Sequence, residues 1–449
     1  MTVWFSAKLR ALAIALIAAP LLPLPVLAQE TVTVTEPPTE DPGHLFGNWG
    51  KIRPLLKQYG ITFNLDYYAE AATVATGGRS SGSGYGDQRA VQIDYDWSAK
   101  AGVPGLGTHV LFLNRAGNGV SPKASGDGLY PSIEIAGGGG NVAVHLAYLY
   151  FDETLANGAL RVAAGRLQPG GTFGSSAIYC DFANLAFCGQ PRPLPGSNPA
   201  FTNGSASNYG GYIVGRPLPV LYIEAGAFEA SPNRGGRDGF DWSTSRATGA
   251  MLPFEIGYEP GGGAGQLPGH YKVGFYYDTS KRSDYYYDVN GNPLVRTGLP
   301  ARQDSGQVGV WVEADQMFMR HGPGPTQGLV GFAGYAHTDG NVGNYQDEAF
   351  IGVDDHGFFP TRPADGFGAM VTYGQQSSAL AKTEELEIAL GQQLEYGVAK
   401  HEIVLEAEYT AHVYNGIDIG PDIQYIIRPG GSSKYSNAFI VGLQANISF

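Results

Sequence analysis

The sequence predicts an all-β chain: a transmembrane antiparallel β-barrel of about 16 strands with a short N-terminal helix. Three observations carry this: the last strand, the balance of charge against hydropathy, and a recurrent period of two. In the last strand, Phe439, Val441, Leu443, Ala445, Ile447 and Phe449 fall on one face. Ala438, Gly442, Gln444, Asn446 and Ser448 fall on the other, with Ile440 as the exception. Successive strand side chains point to opposite faces, so 437–449 is apolar outside and polar inside. It ends on an aromatic residue, the kind of closing strand that barrel-assembly machinery reads. A terminal strand of a soluble sheet alternates too, so the rest of the chain must decide.

Only 15% of the 449 residues are charged, whereas a soluble chain carries about a quarter. Mean hydropathy is nevertheless −0.13, too low for a helical membrane protein. Alternating apolar and polar residues average out in this way. A secreted all-β protein would share the 66 glycines and 27 tyrosines.

Lys8 and Arg10, the apolar run from Ala11 and the small-residue site Val26-Leu27-Ala28 read as a signal peptide over 1–28. No segment reaches the roughly 18 apolar residues of a membrane helix, so any crossing is made by strands. Losing the signal takes away Lys8 and Arg10, and the formal charge falls from −13 to −15. Such a surface excludes nucleic acid as a partner. Residues 29–43, rich in Thr, Pro and Glu, predict a flexible periplasmic lead.

The barrel domain is expected over 44–449. It opens with a helix over 48–59, where Ile52, Leu55, Leu56 and Tyr59 share one face. Asn48 is placed to cap it and Gly60 to end it. The apolar face predicts a brace packed on the barrel. Strand patterns follow. Ile61 to Tyr67, Val91 to Trp97, Glu385 to Leu390 and Glu402 to Tyr409 alternate cleanly. Looser runs cover 107–115, 142–151, 160–167, 209–216, 219–229, 246–259, 270–278, 306–316, 328–338, 346–355, 366–375 and 420–428. With the closing strand these are about seventeen, and single-chain bacterial barrels use even numbers. One candidate is therefore false.

Tyr95/Trp97, Tyr148/Tyr150/Phe151 and Tyr276/Tyr277 sit near strand ends, where aromatic girdles belong. Connections come in two lengths. Arg216 to Pro219 and Glu395 to Lys400 read as short, and 116–141, 168–208, 230–245 and 279–305 as long. Short turns on one rim and long loops on the other suit an outer-membrane barrel. Cys180 and Cys188 lie within one long loop. A secreted context favours a disulfide staple, with two buried thiols as the alternative.

Pro421-Asp-Ile-Gln-Tyr-Ile-Ile-Arg-Pro-Gly-Gly431, just before the last strand, resembles a signature of the carbohydrate-selective outer-membrane porin (OprB) family. Trp49-Gly50…Arg53…Leu56…Gly60-Ile61 is similar to that family's entry motif, with Asn48 and Lys51 where Asp and Gly are usual. Arg362 to Gly368 and the segment from Cys180 to Pro191 are also similar. The resemblance spans 47–449. It implies a porin of the Gram-negative outer membrane that passes monosaccharides, glucose-like sugars above all, into the periplasm.

Sugars bind where planar polar groups meet pairs of hydroxyls and where aromatic rings face C–H surfaces. The inward face supplies Asp66, Asp94, Asp96, Glu313, Asp315, Glu385, Glu387, Glu402, Glu406 and Glu408. Trp311 shares a face with Glu313 and Asp315. Arg115, Arg161, Arg166 and Arg428 are the opposing cations. Loop 168–208 is the candidate constriction, through Phe173, Tyr179, Phe182 and Phe187.

Paired acids such as Glu406/Glu408 recur on many strands, which marks a wall and not a hydrolase pair. Neither Gly-x-Ser-x-Gly nor His-Glu-x-x-His occurs, and the nine histidines form no cluster. No catalytic residue, metal or cofactor is expected. The partners expected are monosaccharides, outer-membrane lipid, the assembly machinery through Phe449, and a second copy of the chain in a homo-oligomer. A general, weakly cation-selective pore is the alternative that the charge of −15 allows.

Overall fold

The computed structural model describes residues 41–449 apart from 122, 127, 136–141, 187–188, 232–237 and 264. The signal peptide at 1–28 and the lead through residue 40 lie outside the described residues, as do Phe187 and Cys188.

Sixteen strands are present among the described residues. They are β1 (Ile61–Gly78), β2 (Gly82–Asp96), β3 (Leu106–Asn118), β4 (Val142–Leu155), β5 (Leu160–Leu167), β6 (Asn208–Leu218), β7 (Leu221–Ala230) and β8 (Gly249–Tyr258). Then come β9 (Gly269–Asp288), β10 (Ala301–Arg320), β11 (Gly328–Thr338), β12 (Tyr345–His356), β13 (Gly366–Gln376), β14 (His401–Tyr414), β15 (Ile417–Ile427) and β16 (Ser436–Ser448). Each pairs with the next, and β1 pairs antiparallel with β16 to close the barrel, with Asp66 opposite Ser448 and Ala71 opposite Leu443. Closure leaves no sheet edge, which is what permits strands to cross lipid.

The period of two sorts the side chains as expected. On β10, Val308, Val310 and Val312 are exposed on the outside, while Gln307, Trp311 and Glu313 are buried on the inside. Ile440, the exception in the closing strand, has a reason. The connection between β3 and β4 folds into the barrel, and its Val120, Ala124 and Ile133 pack with Ile440, Val74, Ile426 and Ala438.

Four expectations are corrected. Residues 385–390 are not a strand but the end of a helix, Ser378–Ala389, in the long connection after β13. Ser377 Oγ caps it by accepting from Leu380 N at 3.0 Å, and the segment is rich in helix formers. The helix lies against β9 through Thr383 Oγ1, which donates to Tyr285 O at 2.8 Å. Glu385 is therefore on the rim, paired with Lys400 at 2.7 Å, and neither it nor Glu387 faces the lumen. Glu395 to Lys400 belongs to the same connection and is not a turn of its own.

Second, 279–305 is not a loop. β9 and β10 each run 20 residues, and the tip between Asp288 and Ala301 carries a single helical turn, Leu294–Thr297. Third, the N-terminal helix spans only Ile52–Gln58, after a 3-10 turn at Trp49–Lys51, with no side-chain cap from Asn48. Its apolar face does not seat on the barrel: Ile52, Leu55 and Tyr59 are about half exposed. Other contacts brace it. Leu45 N donates to Ser448 O at 2.7 Å, Arg53 Nη2 donates to Phe449 O, and Trp49 packs on Phe63. Fourth, Tyr148, Tyr150 and Tyr276 point inward and are not girdle residues, whereas Phe151 and Tyr277 face out.

Candidate functional site

The inward carboxylates could have lined a wet wall. Six of them, Glu70, Glu255, Glu313, Glu348, Glu402 and Glu406, instead hold the two connections that fold into the barrel. Tyr130 N donates to Glu402 Oε1 at 3.1 Å, Ile135 N to Glu70 at 3.0 Å and Tyr130 Oη to Glu348 at 3.0 Å. From the connection between β5 and β6, Gly174 N donates to Glu255 at 2.8 Å. Ala183 N and Asn184 N donate to Glu406 at 2.7 and 3.2 Å, and Arg192 N to Glu348 at 3.0 Å. Tyr179 Oη donates to Glu313 at 2.6 Å. Burial beside those carboxylates pushes the Tyr130 and Tyr179 hydroxyls well above their ordinary values, so both stay protonated donors. Each such hydrogen bond contributes about 1 kcal/mol net, and a buried N–H left without its acceptor costs about 1–3 kcal/mol. The acidic stripe thus positions the loop backbone.

The described rings of the β5–β6 connection, Phe173, Tyr179, Phe182 and Phe201, face the wall. Phe173, Leu194 and Phe201 join Tyr212, Phe228, Met251, Tyr276 and Trp311 in one core, and Tyr179 and Phe182 join Phe332, Phe350 and Met370 in another. Wall glycines make the room. Gly274 lies against the Trp311 indole and Gly374 against the Tyr130 ring, where a Cβ would clash. The loop surface turned toward open space carries Ser175, Ser176, Ile178 and Asp181.

Trp311 points inward, but only 1% of it is exposed. Its Nε1 donates to Glu255 at 2.6 Å, and Phe201 meets the ring edge-on at 5.9 Å. Asp315 pairs with His270 at 2.6 Å. Asp94 and Asp152 flank His109 at 2.6 and 2.9 Å. Asp96 sits at the rim and accepts from Ser98 N. Glu408 accepts from Thr410 Oγ1. Arg115 Nε donates to Gln88 at 2.5 Å beneath Gly204. Arg428 lies in the turn between β15 and β16. Arg166 is outside the lumen, under Trp242 and Gly239 O of the β7–β8 connection.

Below the folded-in loop, toward the short-turn rim, open space remains. One chamber of about 550 Å³ is lined by Tyr150, Arg161, Tyr212, Arg216, Tyr222, Glu224, Glu259 and Lys272. A second of about 320 Å³ shares Ser175, Tyr222, Glu259 and Lys272 with it and continues past His270, Asp315, Asp181, Asp354 and His356. Arg161 is held by Asp152 at 2.7 Å and lies over the Tyr212 ring, and Arg216 pairs with Glu259 at 2.7 Å. Of the residues singled out from sequence, Arg161 and Asp315 reach these chambers. Tyr212, Tyr222, Glu224 and Lys272 were missed. Their inward phase on β6, β7 and β9 was readable, but which inward residues the loop would leave uncovered was not.

A closed sixteen-stranded barrel, partly filled by its own loops and open through polar chambers, defines the class: an outer-membrane porin. Within that class the chain belongs to the carbohydrate-selective porin, OprB family, whose model matches residues 80–449. It is 32% identical over 421 residues to Porin B of Pseudomonas aeruginosa, covering 90% of this chain and 91% of that one. A solved structure described as the high-pH form of Pseudomonas putida OprB superposes with a TM-score of 0.85 at 30% identity, covering 92% of this chain and 99% of that one. The protein is therefore a sugar-selective channel of the Gram-negative outer membrane and not an enzyme.

Proposed function

We propose that the channel passes monosaccharides of the glucose type, and that they are held in transit in the chamber beneath the β5–β6 connection. The juxtaposition of Tyr212 and Tyr222 with Arg161, Arg216, Glu224, Glu259 and Lys272 around one open space supports this reading. Rings face the C–H surface of a pyranose, and forked guanidinium and carboxylate groups meet its hydroxyl pairs. Arg161 and Arg216 are pre-oriented by their acid partners, which lowers the cost of ordering them. Because transport demands weak binding at several stations, the second chamber, which shares four lining residues with the first, serves as a further station.

The test is liposome swelling with hexoses of equal mass. Rates ranked by stereochemistry support a site in the pore. Equal rates leave a general, weakly cation-selective hole.

A further inference from the structure

Asp181, on the β5–β6 connection, meets Asp354 and His356 of β12 across the second chamber. One donor atom from each lies within 4.8 Å of the others. His356 Nε2 is 3.0 Å from Asp354 Oδ2 and 3.9 Å from Asp181 Oδ2. The Asp354 side chain is 96% buried, and its Oδ1 accepts no hydrogen bond. A buried carboxylate oxygen left in this way is costly unless something meets it. All three residues line the chamber, so a hydrated ion has a path in.

We propose that Asp181, Asp354 and His356 form a binding site for a divalent transition cation, Zn²⁺ in the first place. An imidazole nitrogen with two carboxylates is a borderline N/O donor set that suits this ion. Two carboxylates and a neutral imidazole also balance its charge. Tetrahedral bonds of about 2.1 Å separate ligand atoms by roughly 3.4 Å, which lies between the two His356 distances, while the two aspartates offer oxygens within 4.8 Å of each other, so binding draws the three side chains together. A fourth position stays open to the chamber for water. One ligand sits on the folded-in loop and two on the wall, so the ion clips loop to wall beside the sugar path. Chain spacing hides the site, because Asp181 is remote in sequence from the Asp354 and His356 pair.

The competing account is a protonated His356 bridging two aspartates with no metal. The experiment uses the protein without a histidine tag, stripped with EDTA in detergent and titrated with Zn²⁺ alone by calorimetry. The same protein in planar bilayers then receives Zn²⁺ during single-channel recording. We expect one ion per chain and a fall in current that EDTA reverses. We also expect His356→Asn and Asp181→Asn each to raise the half-saturating Zn²⁺ at least tenfold. Asp181→Asn lies in a loop, so it keeps the test valid should His356→Asn fail to assemble. Absence of stoichiometric binding, or binding that both variants retain at wild-type strength, overturns the site.

Discussion

Replacing Glu255 by Ala probes a wall carboxyl that holds the loop backbone together with two neighbouring wall side chains. The Glu255 carboxylate is 99% buried and accepts from Gly174 N at 2.8 Å, Trp311 Nε1 at 2.6 Å and Tyr222 Oη at 2.5 Å. Tyr222 borders open space and can turn to water. The other two donors are enclosed. Leaving two buried N–H groups without an acceptor costs about 1–3 kcal/mol each, hence about 2–6 kcal/mol of loop docking. Even 2 kcal/mol shifts the docked-to-undocked ratio about 30-fold. The barrel ladder is untouched, so Glu255→Ala should still assemble. Its single-channel current should become noisier and larger, and sugars should discriminate less. Glu255→Gln keeps one acceptor oxygen and should fall between. Wild-type noise, conductance and sugar discrimination in Glu255→Ala would refute the idea that wall carboxylates hold the loop.

Gly274→Val sets a branched side chain against the Trp311 indole, and we expect a lower fraction of the compact, heat-modifiable species on SDS gels. Arg53→Ala removes the contact between the N-terminal helix and the Phe449 carbonyl, and the folded band should unfold at a lower temperature while its conductance stays unchanged. Tyr212→Ala removes a ring from the larger chamber. The glucose concentration that half-blocks the current should rise about tenfold, which matches an aromatic contact of about 1.4 kcal/mol.

The strands were legible because lipid outside and loops or water inside impose a period of two along each one. All sixteen strands coincide with sequence patterns, and the false candidate at 385–390 shows the limit of the method. Leu386, Ile388 and Leu390 alternate by chance over too short a window, and the Ser377 cap with an alanine- and glutamate-rich run decides for helix. The interior was far less legible. Tyr130 meets Glu402 across 272 positions and Ala183 meets Glu406 across 223, and no local pattern encodes such pairs. Inward phase alone suggested Trp311 as a stacking platform, yet Phe201 and Gly274 cover it. The same phase on β6 and β7 gives Tyr212 and Tyr222, which border the open chamber although Phe173 of the loop packs edge-on against Tyr212.

Current through one channel, recorded while glucose is added on one side, tests the central claim most directly. A sugar held beside Tyr212 and Arg161 should interrupt the current in a concentration-dependent and saturable way. A current indifferent to glucose, yet scaling with salt as in an open tube, would contradict it.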